Sequence, residues 1–252
     1  MTPDDLIAAL TLPPQAMINH RVPKTLLVEN GAPTAADKRH IESSIEELRW
    51  VATLKPTTVS VASYADDTRE VVELAVLTLR LRPKAKVARL VELVHRAIPY
   101  HLMLLTQPEA GSVHISLADK RWAQNERDKV VLDGDLIQCE VSQLDELVSE
   151  RLLESLSLAR QPRTSMYALY RGWIDTILAA KAAVITGNFS PAETGARAEE
   201  RAEALKTFAA LESRITSLRA AASKEKQLAR RVELNTELKK LREELTGARL
   251  KL

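Results

Sequence analysis

The chain has 252 residues, 45% of them hydrophobic and 28% charged, with a formal net charge of +2. That hydrophobic share suits a packed globular core, the near-balance of charge gives no global signature of nucleic-acid binding, and the single cysteine, Cys139, excludes an intrachain disulfide and a thiolate zinc site. No window approaches ~18 consecutive apolar residues, and the opening MTPDDLIAALTLPP has neither the basic nor the apolar region of a secretory leader, so a cytoplasmic protein without a membrane span is expected.

Asp4 to Leu10 reads as a short helix with Thr2 as its cap and Pro3 at its first position. Pro13-Pro14 stops it, and a basic loop, Asn19 to Lys24, follows. Leu26 to Val28 suggests a short strand. Thr34 to Leu54 reads as one helix, capped by Thr34, with Ile41, Ile45, Leu48 and Val51 or Ala52 on one face and Pro56 as its end. Thr57 to Ser63 alternates with β-branched residues, and Glu70 to Leu81 predicts a longer central strand, apolar on both faces. A helix with Val87, Leu90, Val91 and Val94 as its apolar stripe runs to about Ala97. Strands are expected over 100–106, 113–117, 129–132 and 136–141, with Asp133-Gly134 as a turn. Helices follow over about 143–158 and 164–187, and Gly187 to Pro191 breaks the chain before a tail.

The tail has no proline and no glycine from Ala196 to Thr246. Leu211, Ile215, Leu218 and Ala222 step by 4, 3 and 4, as do Leu234, Leu238, Leu241 and Leu245. Ser223 to Arg231 breaks the phase, so the pattern is two seams with a stutter or hinge. Residues 196–252 hold 14 Lys or Arg and 9 Asp or Glu, leaving the rest mildly acidic. Such a seam needs a partner: a homodimeric coiled coil through Leu211, Ile215, Leu218, Leu234, Leu238, Leu241 and Leu245, packing on another protein, or a hairpin folded back on the helices of 143–187.

The expected fold is therefore α+β. A mostly antiparallel sheet of five or six strands, with helices on one side, occupies 1–142, a helical region packed on it 143–190, and a long coiled-coil-like tail 191–252.

Chemical motifs are sparse. With seven glycines there is no phosphate-cradling GxGxxG or GxxxxGK[ST]. The five histidines form no metal pair, although His101 and His114 are candidates to face each other on neighbouring strands. No metal or other cofactor is expected. Asp66, Asp67 and Glu73 are the carboxylates a divergent metal-dependent nuclease would use. More prominent are three basic corners: Arg21 and Lys24 in the first loop, Arg96 before Pro99-Tyr100, and Lys120-Arg121-Trp122 after a strand. Arg, Lys and Trp in this setting suit phosphate contacts and base stacking, provided the corners converge.

Four segments, NHRVPKTLLVEN, RWVATLKPTTVSV, VHRAIPYHLMLLT and HISLADKRW, occur in that order between Asn19 and Trp122. They resemble a bacterial domain-of-unknown-function family, family 4391, over roughly residues 12–150. The resemblance implies a setting beside helicase and DNA-methyltransferase genes of restriction or phage-defence type. The resulting expectation is a non-catalytic accessory or scaffold subunit of a DNA-processing complex. Helicase or methyltransferase subunits and nucleic acid are its expected partners. A nuclease and a stand-alone nucleic-acid-binding protein are the alternatives.

Overall fold

In the computed structural model, residues 1–109, 111–124, 129–191 and 195–252 are described. The junction expected to open the tail includes residues 192–194, which lie outside them.

The elements in chain order begin with α1 (Pro3–Ala9), β1 (Met17–Arg21), α2 (Lys24–Gly31) and α3 (Ala35–Ser44). Next come β2 (Ile45–Leu54), α4 (Pro56–Val59), β3 (Tyr64–Ala65), β4 (Glu70–Val71) and β5 (Leu74–Leu81). Then follow α5 (Val87–Ala97), β6 (His101–Gln107), β7 (His114–Leu117), β8 (Lys120–Trp122), β9 (Val130–Leu132) and β10 (Ile137–Glu140). Four helices close the chain: α6 (Glu146–Leu156), α7 (Met166–Thr186), α8 (Gly195–Lys224) and α9 (Leu228–Arg249).

The fold is α+β, but the sheet is mixed. Its six strands run in the order β1-β2-β5-β6-β7-β10. Every neighbouring pair is antiparallel except β5 and β6, which are parallel. Parallel neighbours need a crossover, and α5 supplies it. Helices cover both faces, not one. Ala75, Leu77, Leu79, Leu102 and Leu104 turn toward α2, α3 and α5. The alternating residues Leu74, Val76, Met103 and Leu105 turn toward α1, α6 and α7. This two-sided burial is why β5 and β6 read as nearly continuous apolar runs.

The segment predicted as one helix over 34–54 is a helix, α3, followed by the longest strand, β2. Its register shifts between Ile45 and Glu47 and again between Trp50 and Ala52. Each bulge adds a residue to one strand and breaks the two-residue alternation. The buried apolar residues therefore fall at 45, 48, 51, 52 and 54, a spacing that imitates a helix face. Leu26 to Val28 lies inside α2 instead of a strand, and Thr57 to Val59 inside α4. The predicted strand over 70–81 is two strands, because the ladder breaks between β4 and β5.

The tail is two helices, not one. α8 and α9 pack antiparallel, with Arg214 Nη2 2.5 Å from Glu237 Oε1 across the seam. Ile215, Ala222, Leu238 and Leu241 form the core between them, flanked by Leu211, Leu218, Leu234 and Leu245. All seven residues proposed as an oligomerisation seam are thus packed within one chain. Only the first part of α8 lies on the body, through Ala198, Ala204 and Leu205 beside α7. Leu252, after α9, returns to the body's core. The remainder of the hairpin extends on the order of 20 Å past that contact at 1.5 Å per residue.

A buried polar cluster and a basic hairpin tip

Two places gather the candidate side chains. The first is the end of the sheet where β6 begins and β7 ends. Arg69, on the turn between β3 and β4, donates from Nη1 to the Tyr167 hydroxyl (2.9 Å) and from Nη2 to Asp133 (2.8 Å). Its guanidinium lies 5.0 Å from the Tyr167 ring centroid, a cation–π contact. Arg171 on α7 donates to Asp119 Oδ2 at 2.8 Å. Arg121 Nε lies 3.3 Å from Asp133. Tyr170, fully buried on α7, sits within 3.0 Å of the Leu102 and Ala118 carbonyls and accepts the Ala118 N–H. It thereby ties α7 to β6 and to the exit of β7.

Within this cluster His101 Nε2 and Asp119 Oδ1 face each other at 3.9 Å. Neither has a hydrogen-bond partner among the described residues. Burial, with the positive charges of Lys120 and Arg69 adding to it, lowers the His101 pKa to about 3, so its ring is neutral at physiological pH. His114 is at the other end of β6, opposite Thr106, so the two histidines do not meet.

Lys120 is 2% exposed. Its ammonium donates to the His95 carbonyl (2.8 Å) and the Ile98 carbonyl, closing the C-terminal end of α5 where carbonyls lack helical partners. Lys24 does the same for α3, donating to the carbonyls of Glu42 (3.0 Å) and Ile45. Both lysines read in the sequence as basic loop residues are helix caps. Arg96 is exposed and pairs with Glu92 at 2.9 Å. Arg21 pairs with Arg49 in register near the C-terminal end of β5, whereas Lys120, Arg121 and Trp122 lie beyond its N-terminal end, beside His101. The three basic corners therefore do not converge. Arg21 and Lys24 line one cleft with Glu46 and Glu47, and Lys120, Arg121 and Trp122 line another, of about 140 Å³, together with Arg69, Glu73, Tyr100 and His101.

The three nuclease-type carboxylates are not gathered. Asp66 accepts from the Thr68 and Arg69 N–H groups, the Thr68 hydroxyl and the Tyr64 hydroxyl, which hold its pKa far below the usual carboxylate range. Glu73 lies 3.5 Å from Lys55, and Asp67 is exposed. Among the described residues no group of three His, Cys, Asp or Glu side chains could hold a metal ion.

The second place is the hairpin tip. Between residues 219 and 231 there are five Lys or Arg and one carboxylate, whereas the rest of the tail has nine against eight. The tip thus holds nearly all the tail's surplus. Its one carboxylate, Glu225, accepts the Gln227 N–H at 2.8 Å, and Arg230 pairs with Glu233 at 2.7 Å. Leu228 and Val232, one helical turn apart, are 67% and 56% exposed beside these cations. The sequence showed the tail as basic. That the excess sits at one end depended on where the chain reverses.

No helix among the described residues is long and apolar enough to cross a membrane. No curated protein and no solved structure matches the chain. The family model described as Domain of unknown function (DUF4391) matches residues 10–245, nearly the whole length, and the chain belongs to that family.

Proposed function

We propose that the protein is a non-catalytic accessory subunit of a bacterial DNA-processing complex of restriction or antiphage-defence type, and that the α8–α9 hairpin is its contact with nucleic acid. The observation that carries this reading is the concentration of positive charge, with two exposed aliphatic side chains, at the end of a projecting hairpin. Phosphates attract such a tip by releasing condensed counterions. The apolar pair offers contact to sugars and bases that a lysine cluster alone lacks. Because the hairpin closes its own seam, the α+β body is left to dock on a helicase or methyltransferase subunit.

The test is duplex and single-stranded DNA binding by fluorescence anisotropy over a series of salt concentrations. Reversing Lys224, Lys226, Arg230 and Arg231 to Glu should abolish binding at moderate salt. Neutralising them instead should reduce the logarithmic salt slope by up to about 3.6, at about 0.9 per lost phosphate contact. Binding that survives the charge reversal ends this reading. Affinity in the isolated chain as strong as in any assembled complex would favour the stand-alone binder over the subunit.

A further inference from the structure

The Lys120 ammonium is buried, and among the described residues no carboxylate lies within ion-pair distance of it. Two of its three N–H donors are taken by carbonyls. Carbonyl dipoles satisfy hydrogen bonds but supply no counter-ion, so the ammonium form is costly in this low-dielectric place. Lys120 also lines the cleft already described, so the uncompensated charge borders a space open to solvent.

The walls of that space extend the pattern. Arg121 commits Nη1 to the Trp122 carbonyl and Nε to Asp133, which leaves Nη2 without a partner among the described residues, on a side chain 34% exposed. His101 adds a neutral ring at the floor. Of the two acidic residues lining the cleft, Glu73 is met by Lys55 and Glu70 is exposed at the rim. Trp122, Tyr100, Pro99 and Val130 make the remaining wall flat and apolar. At about 140 Å³ the cleft has room for a phosphoryl group but not for a whole nucleotide. A terminal phosphate, with sugar on one side alone, needs less room in a cleft of that size than a phosphate flanked on both sides.

From this arrangement we infer that the cleft binds the terminal phosphomonoester of a nucleotide, with Lys120 and Arg121 on the phosphoryl oxygens and the base against Trp122 or Tyr100 at the mouth. The phosphate has two sources, a free mononucleotide or the phosphorylated end of a nucleic-acid strand. The inference concerns a site on the body and stands apart from the hairpin tip.

Isothermal titration calorimetry on the full chain tests it with AMP, adenosine, inorganic phosphate, and an oligonucleotide with and without a 5′-phosphate. AMP should bind at least tenfold tighter than adenosine. Arg121→Gln, at a partly exposed position, should weaken AMP at least tenfold, as should Lys120→Met if it folds. The Glu-substituted tip variant should bind AMP like the parent, which separates failure here from failure of the hairpin reading. In that tip variant, a 5′-phosphate that tightens oligonucleotide binding identifies the strand end as the source. AMP binding without that effect identifies the free nucleotide. Equal affinity for AMP and adenosine, no binding of either, or an unchanged affinity in Arg121→Gln overturns the inference.

Discussion

Two buried bases at one end of the sheet make stability depend on pH in opposite ranges. His101 stays neutral in the fold down to about pH 3, whereas an unfolded histidine takes its proton near 6.5. Between those values the unfolded chain binds the extra proton, so this contribution is intact above pH 6.5 and is lost as pH falls. His95, buried beside Ser116, shifts the same way, mainly through burial. The thermal midpoint should therefore fall from pH 6.5 to 4, and His101→Gln should make that fall shallower. Lys120 is pulled down to about 7 by burial, from near 10.4 when unfolded. Across that window the unfolded chain again binds more protons, so stability should rise with pH above 7, and Lys120→Met should flatten the rise. A third residue matters for space alone. A Cβ at Gly31 would meet the Leu93 carbonyl oxygen and the Ala97 Cβ, each at 2.7 Å, because α2 and α5 approach closely there. Gly31→Ala should cost about 1–3 kcal/mol, read as a lower midpoint in urea.

At the level of elements, local chemistry set the helix starts. Thr2, Thr34, Asp145 and Ser165 each accept a backbone N–H in the first turn of α1, α3, α6 and α7, and Gly187, at φ 77°, ends α7 in a conformation glycine adopts freely. Thr2, Thr34 and Gly187 were legible as such in the sequence. β2 was not, because two bulges gave its buried residues the spacing of a helix. The hairpin is the element with the smallest core of its own. Leu241, 3% exposed, sits in a cluster of four buried residues. Leu241→Ala should cost about 2–3 kcal/mol, at the low end for buried leucine because the site can collapse. Hydrogen exchange should show the loss in α9 and the distal part of α8, with the sheet's protection unchanged. Equal loss in β5 and β6 would mean that hairpin and body unfold together.

For the whole molecule, the distribution of charge matters more than its total. The net +2 conceals an acidic body and a tail whose excess lies at one tip. Association with DNA should therefore be steep in salt and should follow the tip substitutions. Removing 211–246 and joining the cut ends with a short Gly-Ser linker should leave a folded sheet that no longer binds DNA and still binds AMP.

The family, the α+β class and the existence of most helices and strands were present in the sequence, because caps, breakers and apolar periodicity are local properties. The seam residues share an apolar face between α8 and α9, since their spacing alone identifies a helical face. What covers that face is a tertiary matter: two matching stripes satisfy a second copy or each other equally well, and the reversal after Lys224 decides for each other. The same holds for the basic residues. A lysine in a loop has the same letters whether its ammonium meets water or helix-end carbonyls, and only folding placed Lys24 and Lys120 at helix ends. The pairing of His101 with Asp119, and of Arg69 with Tyr167 and Asp133, joins segments dozens of residues apart. No local pattern encodes such contacts, because they arise from the packing of α7 and the β3–β4 turn against one end of the sheet.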